Sequence, residues 1–423
     1  MDVNRWIRGP VGIDAERRTT RTGFHTVLVM VPTMTAGTRL LDLVPLLEAD
    51  HRVQVVFTVP HTAESWPGVE DFVRDCGGVV YPWQQALQHR WDLVLTASHR
   101  QIEQVHGRIM VLPHGAGALM SRRFSKKAGA DRPSTGLDRE LLTYRGRVLP
   151  SALALTHEGE LDALRRSCPE ALPAAFVAGD LCLDRMLAGL PLRDVYRRAL
   201  GVSADHTLVT LSSTWSADGV FGRHLDLYER LVDELPASRF RVAAVIHPQV
   251  WAVHGRRQVL AWLGRAIHKG LLLIPPHEGW RATMVASDRV IGDHGSTTSY
   301  AAAIGRPVHL ATFPRHNIRP GSLADTLAAS ATRLDHDRPL AEQLHPTADP
   351  DRVSAGDVSA FPVSAFAPLI SATPGQAAQR FRAAMYRLLG MTEPVWPAQS
   401  SPVPLPSPLF TPSWKDSRDR HRP

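Results

Sequence analysis

The chain has 423 residues, 44% hydrophobic and 21% charged, a balance that suits a globular protein long enough for two domains. No window approaches about 18 uninterrupted apolar residues, which argues against a membrane-spanning helix. The three cysteines, Cys76, Cys168 and Cys182, form no C-x-x-C pair, and the 20 histidines show no H-E-x-x-H spacing, so neither a disulfide framework nor a bound metal is expected. The net charge of +7 is concentrated between Ser121 and Arg147, where Arg122, Arg123, Lys126, Lys127, Arg132, Arg139, Arg145 and Arg147 face few acids. Such a cluster suits an anionic acceptor or a membrane surface, and equally a solvated loop.

Residues 1–22 are a polar, basic arm without the apolar segment of a secretory leader, and the expectation is a cytoplasmic protein, with the basic loop offering contact to the inner face of the membrane. Gly23–Pro32 is then an apolar run of the kind buried in a parallel sheet. Thr38–Leu47 carries helical spacing, Arg52–Val59 reads as a strand, Glu64–Cys76 as a helix and Gly77–Tyr81 as a short strand. Trp91–Ala97 and Arg108–Leu112 are further strands, the second running into Pro113-His114-Gly115-Ala116-Gly117. After the basic loop come strands at Ala152–Thr156 and Ala174–Gly179, with a helix at His157–Cys168 between them. Asp180 and Asp184 follow, read as caps or hinge residues.

The pattern then restarts. Thr207–Ser212 is an opening strand leading to Ser213-Thr214-Trp215-Ser216, and Phe240–Ile246 is a strand ending at His247-Pro248. Arg289–Gly292 is a strand followed by the tight loop Asp293-His294-Gly295, and Ser296 or Thr297 is a fitting N-cap for a helix reaching Ile304. Gln376–Leu389 reads as an amphipathic terminal helix with Phe381, Ala384, Met385 and Leu388 on one side. Strands alternating with helices in two successive halves predict two Rossmann-like, doubly wound parallel-sheet α/β domains facing a cleft. The expected domains are 23–186 for an acceptor and 187–390 for a nucleotide donor, the terminal helix packing back on the first, with 391–423 a Pro- and Ser-rich disordered tail.

Chemistry is expected at the C-terminal ends of the strands, where open α/β sheets bind ligands. A helix opening Gly295-Ser296-Thr297-Thr298 offers unpaired N–H groups, hydroxyls and the positive end of its dipole to a phosphate or diphosphate. Asp293 is suited to fixing that loop through backbone hydrogen bonds, and Ser213, Thr214 and His247 end neighbouring strands of the same half. His114, beside two glycines, is a candidate base for an acceptor hydroxyl. Paired carboxylates for hydrolysis, a G-x-S-x-G elbow and a G-x-x-x-x-G-K-[ST] loop are all missing from the sequence.

These motifs resemble those of the two-domain GT-B transferases, and the second half is similar to the CDP-glycerol glycerophosphotransferase family of teichoic-acid-type polymer synthesis. LVTLSSTWS resembles that family's strand and Thr-Trp loop, VIHPQ its strand ending in His-Pro, and VIGDHGSTTSYAAAIGRP its Asp-x-Ser-Ser loop, helix and Gly-Lys-Pro ending. LPHGAG resembles its His-Gly loop. The resemblance implies His114 as base and His247, Ser296 and Thr297 as donor-phosphate contacts, with Thr214 nearby. Two departures stand out: Gly295 occupies a position where the family has serine, and Val245-Ile246 precede His247 where an arginine is frequent. VAGDLCLDRM is similar to the interdomain segment of UDP-N-acetylglucosamine 2-epimerases, but Thr298-Ser299-Tyr300-Ala301 lacks the acid that holds the ribose there.

The expectation is therefore a transferase moving a glycosyl or glycerol-phosphate group from a nucleotide-diphosphate donor to a hydroxyl acceptor, as in cell-envelope polymer or glycoconjugate synthesis. It would use no cofactor, since the nucleotide is substrate, and no specific nucleic acid. An epimerase and a non-catalytic ligand- or partner-binding GT-B protein are the alternatives. The first would form product without an acceptor, and the second would bind no nucleotide.

Overall fold

The computed structural model describes residues 6–12, 14–17, 19–60, 67–116, 136–344 and 363–410. They fall into two compact units, the first reaching to Asp184 and including Pro368–Ser400, the second running over Arg185–Ala367 and including Ser401 onward. Each is an α/β layer structure around one all-parallel sheet.

In the first unit the strands are β1 (His25–Met30), β2 (Val53–Thr58), β3 (Val80–Tyr81), β4 (Arg90–Thr96) and β5 (His106–Val111). A two-stranded hairpin, β6 (Thr143–Tyr144) with β7 (Arg147–Val148), precedes β8 (Ala152–Leu155) and β9 (Ala175–Val177). The sheet order is β3-β2-β1-β4-β5-β8-β9. Both of its faces are covered, so its strands are apolar at consecutive positions rather than at alternate ones. Val27 and Val29 pack with Leu93 and Leu95 in one cluster, while Leu28 and Met30 pack with Val94 and Val111 in another. The terminal helix Ala377–Leu389 closes the first of these clusters with Phe381, Ala384 and Met385, and Leu388 is partly buried against it. Asp184 accepts from the Gly375 and Ala377 N–H groups at 2.6 and 2.9 Å and so caps that helix, while Asp180 accepts from Leu183 N at 2.8 Å. Burial raises the Asp184 pKa to about 6.

The second unit has β10 (Thr207–Ser213), β11 (Phe240–Ile246), β12 (Leu272–Leu273), β13 (Arg289–Gly292), β14 (Val308–Leu310) and β15 (Thr332–Arg333). Their order, β12-β11-β10-β13-β14-β15, is the dinucleotide-binding arrangement 3-2-1-4-5-6. In such a sheet the chain winds to opposite sides from the two central strands, here β10 and β13, and the crevice opens at their C-terminal ends. Asp288, at the other end of β13, accepts from Arg197 Nη1 at 2.7 Å, from Leu208 N at 2.7 Å and from Arg193, fastening the helix Arg193–Ala199 to the sheet. Among the described residues, no helix is long and apolar enough to cross a membrane.

Two expectations need correction. Residues up to 410 of the Pro-rich tail are packed rather than disordered. Arg382 Nη1 donates to the Trp396 carbonyl at 2.7 Å, Tyr196 Oη to the Val403 carbonyl at 2.7 Å, and Leu409 N to the Leu273 carbonyl at 2.8 Å. Proline pre-sets an extended backbone at little entropic cost, and the bare carbonyls of that backbone are met by side-chain donors. Residues 411–423 lie outside the described ones. The end of the basic stretch is also not open loop: Arg139–Leu142 is helical, Arg139 pairs with Glu170 at 2.5 Å, and Arg145 and Arg147 lie in or beside the β6–β7 hairpin.

Candidate functional site

The C-terminal edge of the second sheet is organised by one carboxylate. Asp293, fully buried, accepts from Thr214 N at 2.9 Å and Val220 N at 3.0 Å through Oδ2, and from Gly295 N at 2.9 Å through Oδ1. It therefore ties the loop after β10 to the turn after β13 and satisfies three amides that a sharp turn would otherwise leave bare.

The helix after that turn runs over Ser296–Ala303, and its N-cap is Gly295, not Ser296 or Thr297. Glycine has no side chain to fold back on the first turn, and no side-chain cap forms. Among the described residues, the N–H groups of Ser296 and Thr297 have no hydrogen-bond partner. Ser296 is exposed and Thr297 half-buried, so these two amides sit at the positive end of the helix and face outward.

The hydroxyls behave differently from expectation. Thr298 is fully buried, its Oγ1 accepts from Asp293 N at 3.3 Å, and it packs over Gly292, where a Cβ would come within 2.3 Å of that oxygen. Ser213 is buried, accepts from Phe221 N at 2.8 Å and donates to the Thr214 carbonyl at 2.9 Å. Thr298, Ser213 and Asp293 thus shape the edge from beneath and are spent on the protein itself. The Gly295 N–H is likewise taken by Asp293. The groups left toward solvent are the Ser296 and Thr297 amides, and half-buried Thr214 and His247 end the neighbouring strands.

His247 ends β11 and caps the helix Pro248–His254, whose first residue is a proline that needs no N–H acceptor. Its Nδ1 accepts from Gln249 N at 3.1 Å. A ring nitrogen that accepts from an amide carries a lone pair, so in the neutral ring the proton sits on Nε2. His247 is a donor by construction.

In the first unit, His114 follows β5 and its Nδ1 lies 3.2 Å from the Ala97 carbonyl. A carbonyl only accepts, so Nδ1 holds the proton and Nε2 the lone pair. The residue is exposed as a whole, while the hydrogen-bonded side of the ring is half-buried. Loss of water around the ring lowers its pKa, the Ala97 carbonyl opposes this, and the nearby Arg39 charge lowers it further. The shift favours the neutral ring, and among the described residues Nε2 has no hydrogen-bond partner.

Sequence reasoning missed His99, which follows β4 in the same unit. Its Nε2 is buried without a hydrogen-bond partner, and burial, with His114 close by, lowers its pKa to about 4. It also missed Arg315, Arg319 and Arg333 in the second unit. Their signal was three arginines around two loops with little opposing charge. Arg122, Arg123, Lys126 and Lys127 lie outside the described residues. Among the described residues, no group of three or more His, Cys, Asp or Glu side chains is placed to hold a metal ion.

No family model matches the chain, and no curated protein matches it. Solved structures do resemble it. The wall teichoic acid polymerase TagF is 11% identical, with 70% of this chain and 74% of that one covered at a TM-score of 0.46. A UDP-N-acetylglucosamine 2-epimerase is 14% identical over 89% of this chain and 99% of that one, at 0.49. HepE of Anabaena, in complex with UDP and glucose, is 13% identical over 86% and 98%, at 0.46. The likeness is one of fold. Both sheets have the Rossmann-like form that the sequence predicts.

Proposed function

We propose that this protein is a transferase that moves a glycosyl or glycerol-phosphate group from a nucleotide-diphosphate donor to a hydroxyl acceptor. The observation that supports this best is the pair of opposite histidine tautomers, each at the end of a sheet strand: a free lone pair at His114 and a committed N–H donor at His247. In the proposed reaction the acceptor hydroxyl gives its proton to His114 Nε2. Its oxygen bonds to the transferred carbon or phosphorus as the bond from that atom to the nucleotide's phosphate oxygen breaks. The Ser296 and Thr297 amides and His247 Nε2–H stabilise the negative charge of the leaving phosphate. The acceptor, the cell-envelope setting, a location at the inner membrane face and a role for the basic loop are parts of this proposal.

The helix Ser296–Ala303 contains no acid, which speaks for a transferase over an epimerase that holds the ribose there with a carboxylate. The test is a thermal-shift panel of CDP, UDP, GDP, ADP and CMP on the full chain. One diphosphate is expected to stand out, adding about 2.7 kcal/mol of stability at 100 times its Kd. A panel with no shift removes the donor reading. Product formed without any acceptor converts it to an epimerase.

A further inference from the structure

Two arginines in the second unit have buried N–H groups that nothing among the described residues receives. Arg319 Nε and Nη2 and Arg333 Nη2 are buried without a hydrogen-bond partner. Among the described residues neither side chain takes part in an ion pair, and nor does Arg315. The Arg333 guanidinium lies 4.6 Å from the Phe313 ring centroid. Stacking of this kind holds the plane of the group and leaves its in-plane donors for another ligand. Two acids of this region accept from backbone amides, Asp325 from Gly321 N at 2.8 Å and Asp335 from Asp337 N at 3.0 Å.

Such an arrangement is costly unless something fills it. Arginine stays charged in proteins, so it cannot relieve its burial by losing a proton as lysine does. Burial, and then the Arg315 charge, pull the Arg333 pKa downward, the direction that signals a missing counter-charge.

The sheet register locates Arg333. Leu310 of β14 stands opposite Gly292 of β13 on one side and Arg333 of β15 on the other, so the three share one row at the C-terminal edge. Neighbouring strands are about 4.8 Å apart, which puts the Arg333 backbone roughly 10 Å from Gly292, the residue before the Asp293 turn. Arg315 and Arg319 sit on the loop that leaves β14 at that same edge, and Thr312 Oγ1 on this loop donates to the Asp218 carbonyl at 3.4 Å, in the loop after β10.

We propose that Arg319 and Arg333, with Arg315 beside them, form a subsite for a phosphate group on the ligand face of the second sheet. It deepens the donor reading by adding a cationic contact beyond the Ser296 and Thr297 amides, and a guanidinium pair matches phosphate oxygens in a fork. The chemistry is shared by a donor's phosphate and by free phosphate.

The experiment is isothermal titration of the full chain with sodium pyrophosphate, orthophosphate, CDP and CMP, on wild type, Arg319→Gln and Arg333→Gln. Each substitution is expected to weaken pyrophosphate binding by about tenfold or more, since a hydrogen bond to a charged group is worth about 1.5–3 kcal/mol. The ligand-free melting temperature is expected to hold or rise, because buried N–H groups without a partner have been removed. A purely structural role predicts the reverse, a fall in melting temperature, and overturns the proposal. So does a wild type that ignores millimolar pyrophosphate, or variants that bind it unchanged. Variants that lose pyrophosphate while no nucleotide binds wild type uphold the subsite and sink the nucleotide reading. CDP binding that both substitutions leave unchanged, with pyrophosphate binding also unchanged, does the opposite.

Discussion

His114 and His247 make an instructive pair. Each follows the last residues of a parallel strand, yet backbone partners give their rings opposite chemistry. At His247 the lone pair of Nδ1 is consumed by the Gln249 amide, so the remaining nitrogen donates. At His114 the proton of Nδ1 is consumed by the Ala97 carbonyl, so the remaining nitrogen accepts. The difference is written in the neighbouring residues. Proline after His247 starts a helix and turns the next amide back onto the ring. Glycine after His114 starts no helix, and the ring reaches across to the end of β4 instead. Residue type alone therefore does not assign a histidine its role; the polar group that holds the other nitrogen does.

The comparison can be broken from either side. The largest effect is expected from His114→Ala, which should lower kcat by about 10²- to 10⁴-fold while leaving CDP affinity unchanged by titration. Unaltered turnover would remove His114 from the reaction. Asp293→Ala should then cost about 3 kcal/mol or more in urea unfolding, since three amides lose their acceptor in a buried setting. His247→Ala should act in the opposite sense to His114→Ala, weakening donor binding about tenfold through one lost hydrogen bond to a charged group. The mildest is Thr298→Val, which keeps the packing over Gly292 and removes only the acceptor for Asp293 N; about 1 kcal/mol of stability should go.

The pH dependence sharpens the contrast. A pKa lowered from 6.5 keeps His114 unprotonated down to a lower pH, so kcat/KM should reach half its plateau below pH 6.5 and fall only at more acid values. Stability should respond through Asp184, whose pKa stands at about 6 in the folded chain against 3.8 ordinarily. Its protonated form is the better tolerated in the fold, so its contribution is most favourable at low pH and declines as pH rises from about 4 to 6. Replacing Asp184 with Asn should flatten that decline in a denaturation series.

Much of the fold was legible because buried parallel strands need consecutive apolar residues, and Val27–Met30 and Val242–Ile246 supply them. Asp293 was legible as a loop anchor because a buried aspartate at a strand end has few other uses. The orientation of hydroxyls was not. Thr297 and Thr298 look alike in sequence, and it is the missing side chain at Gly292 that draws Thr298 inward. Arg319 and Arg333 escaped because β15 is brought beside β14, the strand that leads into the Arg319 loop, by sheet pairing and not by spacing along the chain. The Pro-rich stretch misled because composition alone does not reveal that Tyr196 and Leu273 wait to bind its backbone.

The most direct test of the account is long-range ¹⁵N–¹H correlation NMR of the histidine side chains at pH 7.5. It should find His114 protonated on Nδ1 and His247 protonated on Nε2. Finding the two rings in the same tautomer, or His114 protonated on both nitrogens, would contradict the division of labour on which the proposed transfer rests.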